Sequence, residues 1–204
     1  MSTASGDALA AQPFDLPVSP ADHRSPGWWA MIFVIVTESA FFAYFLFSYF
    51  YLASMAQGAW PPQGPPSLRL ALPNTIILLT SSVALRWGEV GIRRGSQRRL
   101  RAGLLTTFLL GAAFLVIQSI EYGHQHFTPA TDAYGSLFFS ITGFHGAHVA
   151  VGLLMNLVVQ LRAWLGNFSA ERHLAVRNAA LYWHFVDAVW IVVFISLYLS
   201  PRWG

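Results

Sequence analysis

The sequence has no cysteine and no lysine, and only 10% of its 204 residues are charged. Without cysteine there are no thiolate metal sites, iron–sulfur clusters, disulfide staples or cysteine nucleophiles. Chemistry, if any, falls to histidine, carboxylates or arginine. An ordinary soluble domain carries about a quarter charged residues, so this shortage, with 55% hydrophobic residues, indicates a membrane. Disorder is excluded because the chain has ample apolar surface to offset its entropy. All 12 basic residues are arginine. Most lie in two short loops between apolar runs, which reads as membrane topology and not as a nucleic-acid-binding face.

What is present in quantity is long apolar runs. A membrane helix rises 1.5 Å per residue, so about 20 apolar residues cross a hydrocarbon layer about 30 Å thick. The sequence predicts five such helices, over about 28–55, 72–91, 101–121, 134–164 and 176–200. The fold class is therefore all-α, a polytopic bundle of five transmembrane helices. Residues 1–26 read as a polar N-terminal arm and not as a secretory signal peptide, and residues 27–204 as the transmembrane domain. The segment Trp60-Pro61-Pro62-Gln63-Gly64-Pro65-Pro66 cannot continue a helix and is expected as a surface loop. No internal repeat is apparent, so an inverted-repeat transporter lacks its usual sequence support.

Short arginine-rich loops stay cytoplasmic. Arg86, Arg93, Arg94, Arg98, Arg99 and Arg101 lie in or beside the loop between spans two and three, and Arg162, Arg172 and Arg177 between spans four and five. The other side has Arg69 and Arg202. This places the N-terminus in the cytoplasm and the C-terminus outside.

Ionisable groups at membrane depth are costly and mark candidate functional positions. Glu38 lies ten residues into the first span, about 15 Å along the helix. It is expected as a neutral carboxyl hydrogen-bonded within the bundle, with proton handling or lipid contact as the functional alternative. His145 with His148, and His184 with Asp187, are each spaced i, i+3 and share a helix face. The first pair, flanked by Gly143, Gly146 and Gly152, is expected to brace a close helix contact. In the second, Asp187 is expected to hold the tautomer of His184 directly.

A bis-histidine heme needs two imidazoles on opposed helices at one depth, which His145 or His148 with His184 could in principle supply, and seven scattered histidines are too sparse for a membrane di-iron site. Glu121, His124, His126 and Asp132 form an outer-side polar cluster, expected as solvated loop, with weak divalent-ion binding as the alternative. Trp28, Arg86 and Trp87 are candidates for lipid headgroup contact at the cytoplasmic side.

Ordered motifs from Trp28 almost to the C-terminus resemble subunit III of the heme-copper terminal oxidases, in a five-helix form lacking the two leading helices of the seven-helix version. They include Ala30–Ser39 around Glu38, Trp60-Pro61-Pro62, Leu72-Pro73-Asn74-Thr75 and Gln118-Ser119-Ile120-Glu121-Tyr122. The most specific are Thr142-Gly143-Phe144-His145-Gly146-Ala147-His148 and Tyr182-Trp183-His184-Phe185-Val186-Asp187-Ala188-Val189-Trp190.

The resemblance implies a chain with no redox centre of its own, an enzyme component only as part of a complex that reduces oxygen to water with proton translocation. Hemes and copper would sit in partner subunits. The chain would pack directly on subunit I, with subunit II and a candidate subunit IV in the complex, and would bind phospholipid but no nucleic acid. Glu38 falls at the family's buried carboxylate, proton-linked or at a lipid cleft. The location implied is a bacterial cell membrane. An accessory protein of nitric oxide reductase belongs to the same family and is the alternative, followed by a small proton channel or transporter.

Overall fold

The computed structural model describes residues 25–202. The expected N-terminal arm lies outside the described residues except for Ser25 and Pro26, which start the first helix. Five helices follow: α1 Pro26–Met55, α2 Leu68–Arg93, α3 Gln97–His124, α4 Ala133–Trp164 and α5 Leu174–Phe194. The last extends through a π-helical turn, Ile195–Leu199, and a 3-10 turn, Ser200–Arg202. All five are long and apolar enough to cross a membrane, and the described residues contain no strand.

Helix ends follow local chemistry. Ser25, Ser67, Ser96 and Asp132 each accept a hydrogen bond from the first turn of the helix they precede. Helix α2 begins a turn earlier than the expected start at 72 and includes Pro73. Pro73 is the sixth residue of the helix and has no N–H to give the Arg69 carbonyl one turn back, so α2 forgoes one internal hydrogen bond there. Gly95, in the short α2–α3 turn, and Gly166, after α4, take positive φ of 77° and 76°, a conformation open to glycine at no steric cost.

Helices α2 and α3 form the closest pair. Gly88 and Gly103 face one another so tightly that a Cβ on Gly103 would lie 2.8 Å from the Gly88 Cα and 2.7 Å from the Ala84 carbonyl oxygen. Thr107 Oγ1 donates to the Ser81 carbonyl at 3.1 Å, and Asn74 Nδ2 to the Phe114 carbonyl at 3.2 Å. Helix α5 packs against α2 and α4 through two buried tryptophans one heptad apart. Trp183 Nε1 donates to Ser81 Oγ at 2.9 Å and Trp190 Nε1 to Thr75 Oγ1 at 3.0 Å. The Trp183 indole occupies a slot left by Gly111 of α3 and Gly152 of α4, where added Cβ atoms would fall 2.6 Å and 2.8 Å from the ring.

Helix α1 is an edge helix. Only Phe42 and Tyr49 along it are buried, while Phe33, Tyr44 and Phe47 are each 67% exposed. Its hydroxyls nonetheless suit lipid, because Thr37, Ser39, Ser48 and Ser54 all donate to carbonyls of their own helix.

Replacing Gly103 by alanine should destabilise the chain by about 1–3 kcal/mol, because the α2 backbone that the added methyl would meet cannot yield. Gly146→Ala meets only ordinary contact, Leu115 at 3.8 Å, and should be tolerated. Thermal unfolding of both variants in detergent checks the contrast; equal stabilities would refute the tight α2–α3 contact.

Candidate functional site

The carboxylate of Glu38, on α1, meets His148 of α4, with Oε2 3.0 Å from Nε2. The other ring nitrogen of His148 lies 2.7 Å from the Phe144 carbonyl. A carbonyl only accepts, so Nδ1 carries a proton. The Nε2 contact then holds one more, either on the carboxyl or on the imidazole. In the first case both groups are neutral and in the second they form an ion pair, so the couple has zero net charge and one transferable proton. Neutrality of the couple is what permits both groups at membrane depth.

Glu38 departs from expectation in two ways. It is not enclosed, since 34% of its side chain remains exposed, and its partner is a histidine assigned to bracing. The first follows from α1 lying at the edge of the bundle. The second depends on the register of α1 against α4, which spacing within either helix does not encode.

His145, three residues before His148, is fully buried with neither ring nitrogen hydrogen-bonded. It braces by ring packing instead, with Trp190 at 4.8 Å, Phe114 at 5.8 Å and Phe42 at 6.4 Å between centroids. Aromatic rings lie against His145, Glu38 against His148 and Ser82 against His184. Among the described residues, no three His, Asp or Glu side chains gather as a metal-ligand set.

The expected direct contact between His184 and Asp187 is replaced by a bridge through Ser82 of α2. The Ser82 hydroxyl donates to Asp187 Oδ2, and its oxygen lies 2.9 Å from His184 Nδ1. Having given its one proton to Asp187, Ser82 can only accept from Nδ1–H. The carboxylate thus sets the imidazole tautomer through a hydroxyl, and the same contacts tie α5 to α2.

The outer-side cluster does not form one site. Glu121 is buried, 2% exposed, and accepts from the Tyr198 hydroxyl at 2.8 Å; it is not solvated loop. Asp132 caps α4, accepting from Gly135 N at 2.7 Å and from Gln63 Nε2 at 2.6 Å. Those contacts, the Gln63 amide foremost, hold its carboxyl below the ordinary value of 3.8. His124 and His126 are exposed and line a cavity with Glu121.

At the other end of the bundle, Glu89 receives Arg86 at 2.7 Å and Arg93 at 2.5 Å. Sequence reading passed over Glu89, although its spacing of three and four residues from these arginines on a helix is a sufficient signal. The contact partly neutralises Arg86 as a headgroup ligand. Trp87 beside it is 50% exposed, and Trp28 is half-buried at the start of α1.

Comparison with known proteins agrees with this architecture. The family model described as cytochrome c oxidase subunit III matches residues 26–204. The chain belongs to the cytochrome c oxidase subunit III family. Proteins named cytochrome c oxidase subunit 3 from Arabidopsis thaliana and Drosophila melanogaster are each 39% identical to it over 183 residues, covering 86% of this chain and 68% and 69% of theirs. The one from the fish Scyliorhinus canicula is 39% identical over 184 residues. Within the cytochrome c oxidase subunit III family, the region matched here begins at Pro26, the first residue of α1, and so takes in the whole helical bundle.

Ser82→Ala should cost about 1–3 kcal/mol, because it strands His184 and Asp187 without their shared partner. Ser82→Thr, which keeps the hydroxyl, should recover most of it; unfolding midpoints that leave the alanine variant at wild-type stability would refute the bridge. The Asp132 cap gives a pH test. Its depressed folded value means the stabilisation is complete above the unfolded value near about 3.9 and lost as pH falls through the folded one. Asp132→Ala should therefore lower the melting temperature at neutral pH and have little effect in strong acid.

Proposed function

We propose that this chain is the noncatalytic subunit III of a proton-pumping heme-copper terminal oxidase in aerobic respiration. It packs on the heme-bearing subunit I, with subunit II and a candidate subunit IV, and supports proton uptake, phospholipid binding and stability of the complex. Oxygen reduction belongs to the hemes and copper of the partner subunits.

The observation that carries the reading is the Glu38–His148 couple, a hydrogen-bonded pair with no net charge on the open edge of a helix long and apolar enough to cross a membrane. Such a pair can hold or pass a proton, or contact a lipid, without leaving a net charge in hydrocarbon. The names of the related proteins, each a cytochrome c oxidase subunit 3, favour an oxidase over the accessory protein of a nitric oxide reductase. The location proposed is a bacterial cell membrane, and the arginine-rich turns between α2 and α3 and between α4 and α5 support a cytoplasmic N-terminus with the C-terminus outside.

In the assembled complex, Glu38→Ala should leave the initial rate of oxygen reduction nearly unchanged, lower phospholipid retention and shorten the lifetime under turnover several-fold. Loss of most activity at once, with the complex intact, would overturn this role. A proton flux by the purified chain in liposomes, abolished by Glu38→Gln, would instead establish a channel.

A further inference from the structure

Helix α5 packs on both α1 and α2. Most of its surface is enclosed, with Trp183, Val186, Trp190 and Val193 all buried. One stripe stays open. His184, Ala188, Ile191 and Ile195 follow one another at intervals of four, three and four residues, so they share a face. Ile191 and Ile195 are 40% and 41% exposed, and Ala188 is exposed between them and His184. On α2, Leu79 and Val83 beside Ser82 are open as well.

His184 is the polar member of this apolar stripe. It is the eleventh residue of α5, about 15 Å along the helix and so at membrane depth. Its Nδ1 is spent on Ser82 at 2.9 Å, and because the Ser82 hydroxyl gives its proton to Asp187, that nitrogen is the one carrying hydrogen. Nε2 is therefore left with a lone pair. No group among the described residues donates to it, and unlike both ring nitrogens of His145 it is not enclosed. The chain Asp187–Ser82–His184 polarises the imidazole and makes Nε2 a stronger acceptor.

An acyl chain has no hydrogen to donate, and an open acceptor in hydrocarbon is costly. Another transmembrane helix answers both the apolar stripe and its single acceptor. Ala188, one turn from His184, leaves the imidazole uncovered and lets a second backbone come close. We propose that the α5 stripe from His184 to Ile195 seats a transmembrane helix of a partner subunit, and that a side-chain N–H or O–H of that helix donates to His184 Nε2. The inference rests on the reading of this chain as one subunit of a complex and names the face by which it is held. Glu38 and His148, on α1 and α4, take no part in it.

The test uses the complex purified through a tag on this chain. Asparagine at 184 keeps an amide where Nδ1 stood and loses the outer acceptor, whereas glutamine reaches the place of Nε2 with an oxygen and gives up Ser82. On dilution in detergent, His184→Asn should release the partner about three- to tenfold more readily, the effect of one lost interhelical hydrogen bond. His184→Gln should hold the partner as wild type does, although thermal unfolding shows the chain itself to be less stable. The reverse order would make His184 a brace between α2 and α5 only and overturn the proposal. An independent readout places a photo-crosslinker at the rim of the stripe, Val192→p-benzoylphenylalanine, where the native side chain is 49% exposed. Mass spectrometry should map its adduct to a transmembrane helix of the partner that carries a side-chain donor. An intact complex in which the adducts are lipid alone would overturn the inference and leave the subunit reading standing. A wild-type chain that purifies without any partner would overturn both.

Discussion

The position of Trp183 sets the rest of the bundle. Apolar surface does not drive one membrane helix toward another, because lipid is as apolar as the side chains it would replace; close packing and hydrogen bonds do the work. The Trp183 indole meets both demands at once. It fits where Gly111 and Gly152 leave room between α3 and α4, and its N–H reaches Ser81 of α2. Four of the five helices meet at this one side chain. Trp190, two turns on, repeats the arrangement with Thr75, and its ring also packs on His145 and Phe114.

Once α5 is fixed in this way, the polar groups at membrane depth fall into hydrogen-bonded sets that span helices. Ser82, His184 and Asp187 join α2 to α5, and Glu38 with His148 joins α1 to α4. The two sets differ in access. Asp187 is buried, whereas Glu38 sits on the edge helix and keeps a third of its side chain open. A carboxyl sealed inside the bundle can hold helices together, but only one open at the surface can exchange a proton or touch a lipid.

The ends of the bundle follow a different logic. At one end Glu89 lies between Arg86 and Arg93, a local arrangement within a single helix. At the other, Glu121 is reached by Tyr198 from the far end of the chain, and its second oxygen is buried without a partner. The first was legible in the spacing of three letters. The second was not, since Glu121 looked like one more polar residue near a loop until Tyr198 was seen to bury it.

The number of spans, their approximate limits and the identity of the deep ionisable residues are properties of the sequence alone. They depend on how long each apolar run is and on which charges interrupt it, and both are counted along the chain. The family was legible for the same reason, because its motifs are contiguous in sequence. Which residue pairs with which was decided by tertiary structure. The i, i+3 spacing put His184 and Asp187 on one face and suggested that they bond to each other, yet the bond of each is to Ser82, about a hundred residues away. Glu38 found its histidine 110 residues on. A partner on another helix is set by the rotation and depth of both helices, which the glycine contacts and the two tryptophans fix and no local spacing records.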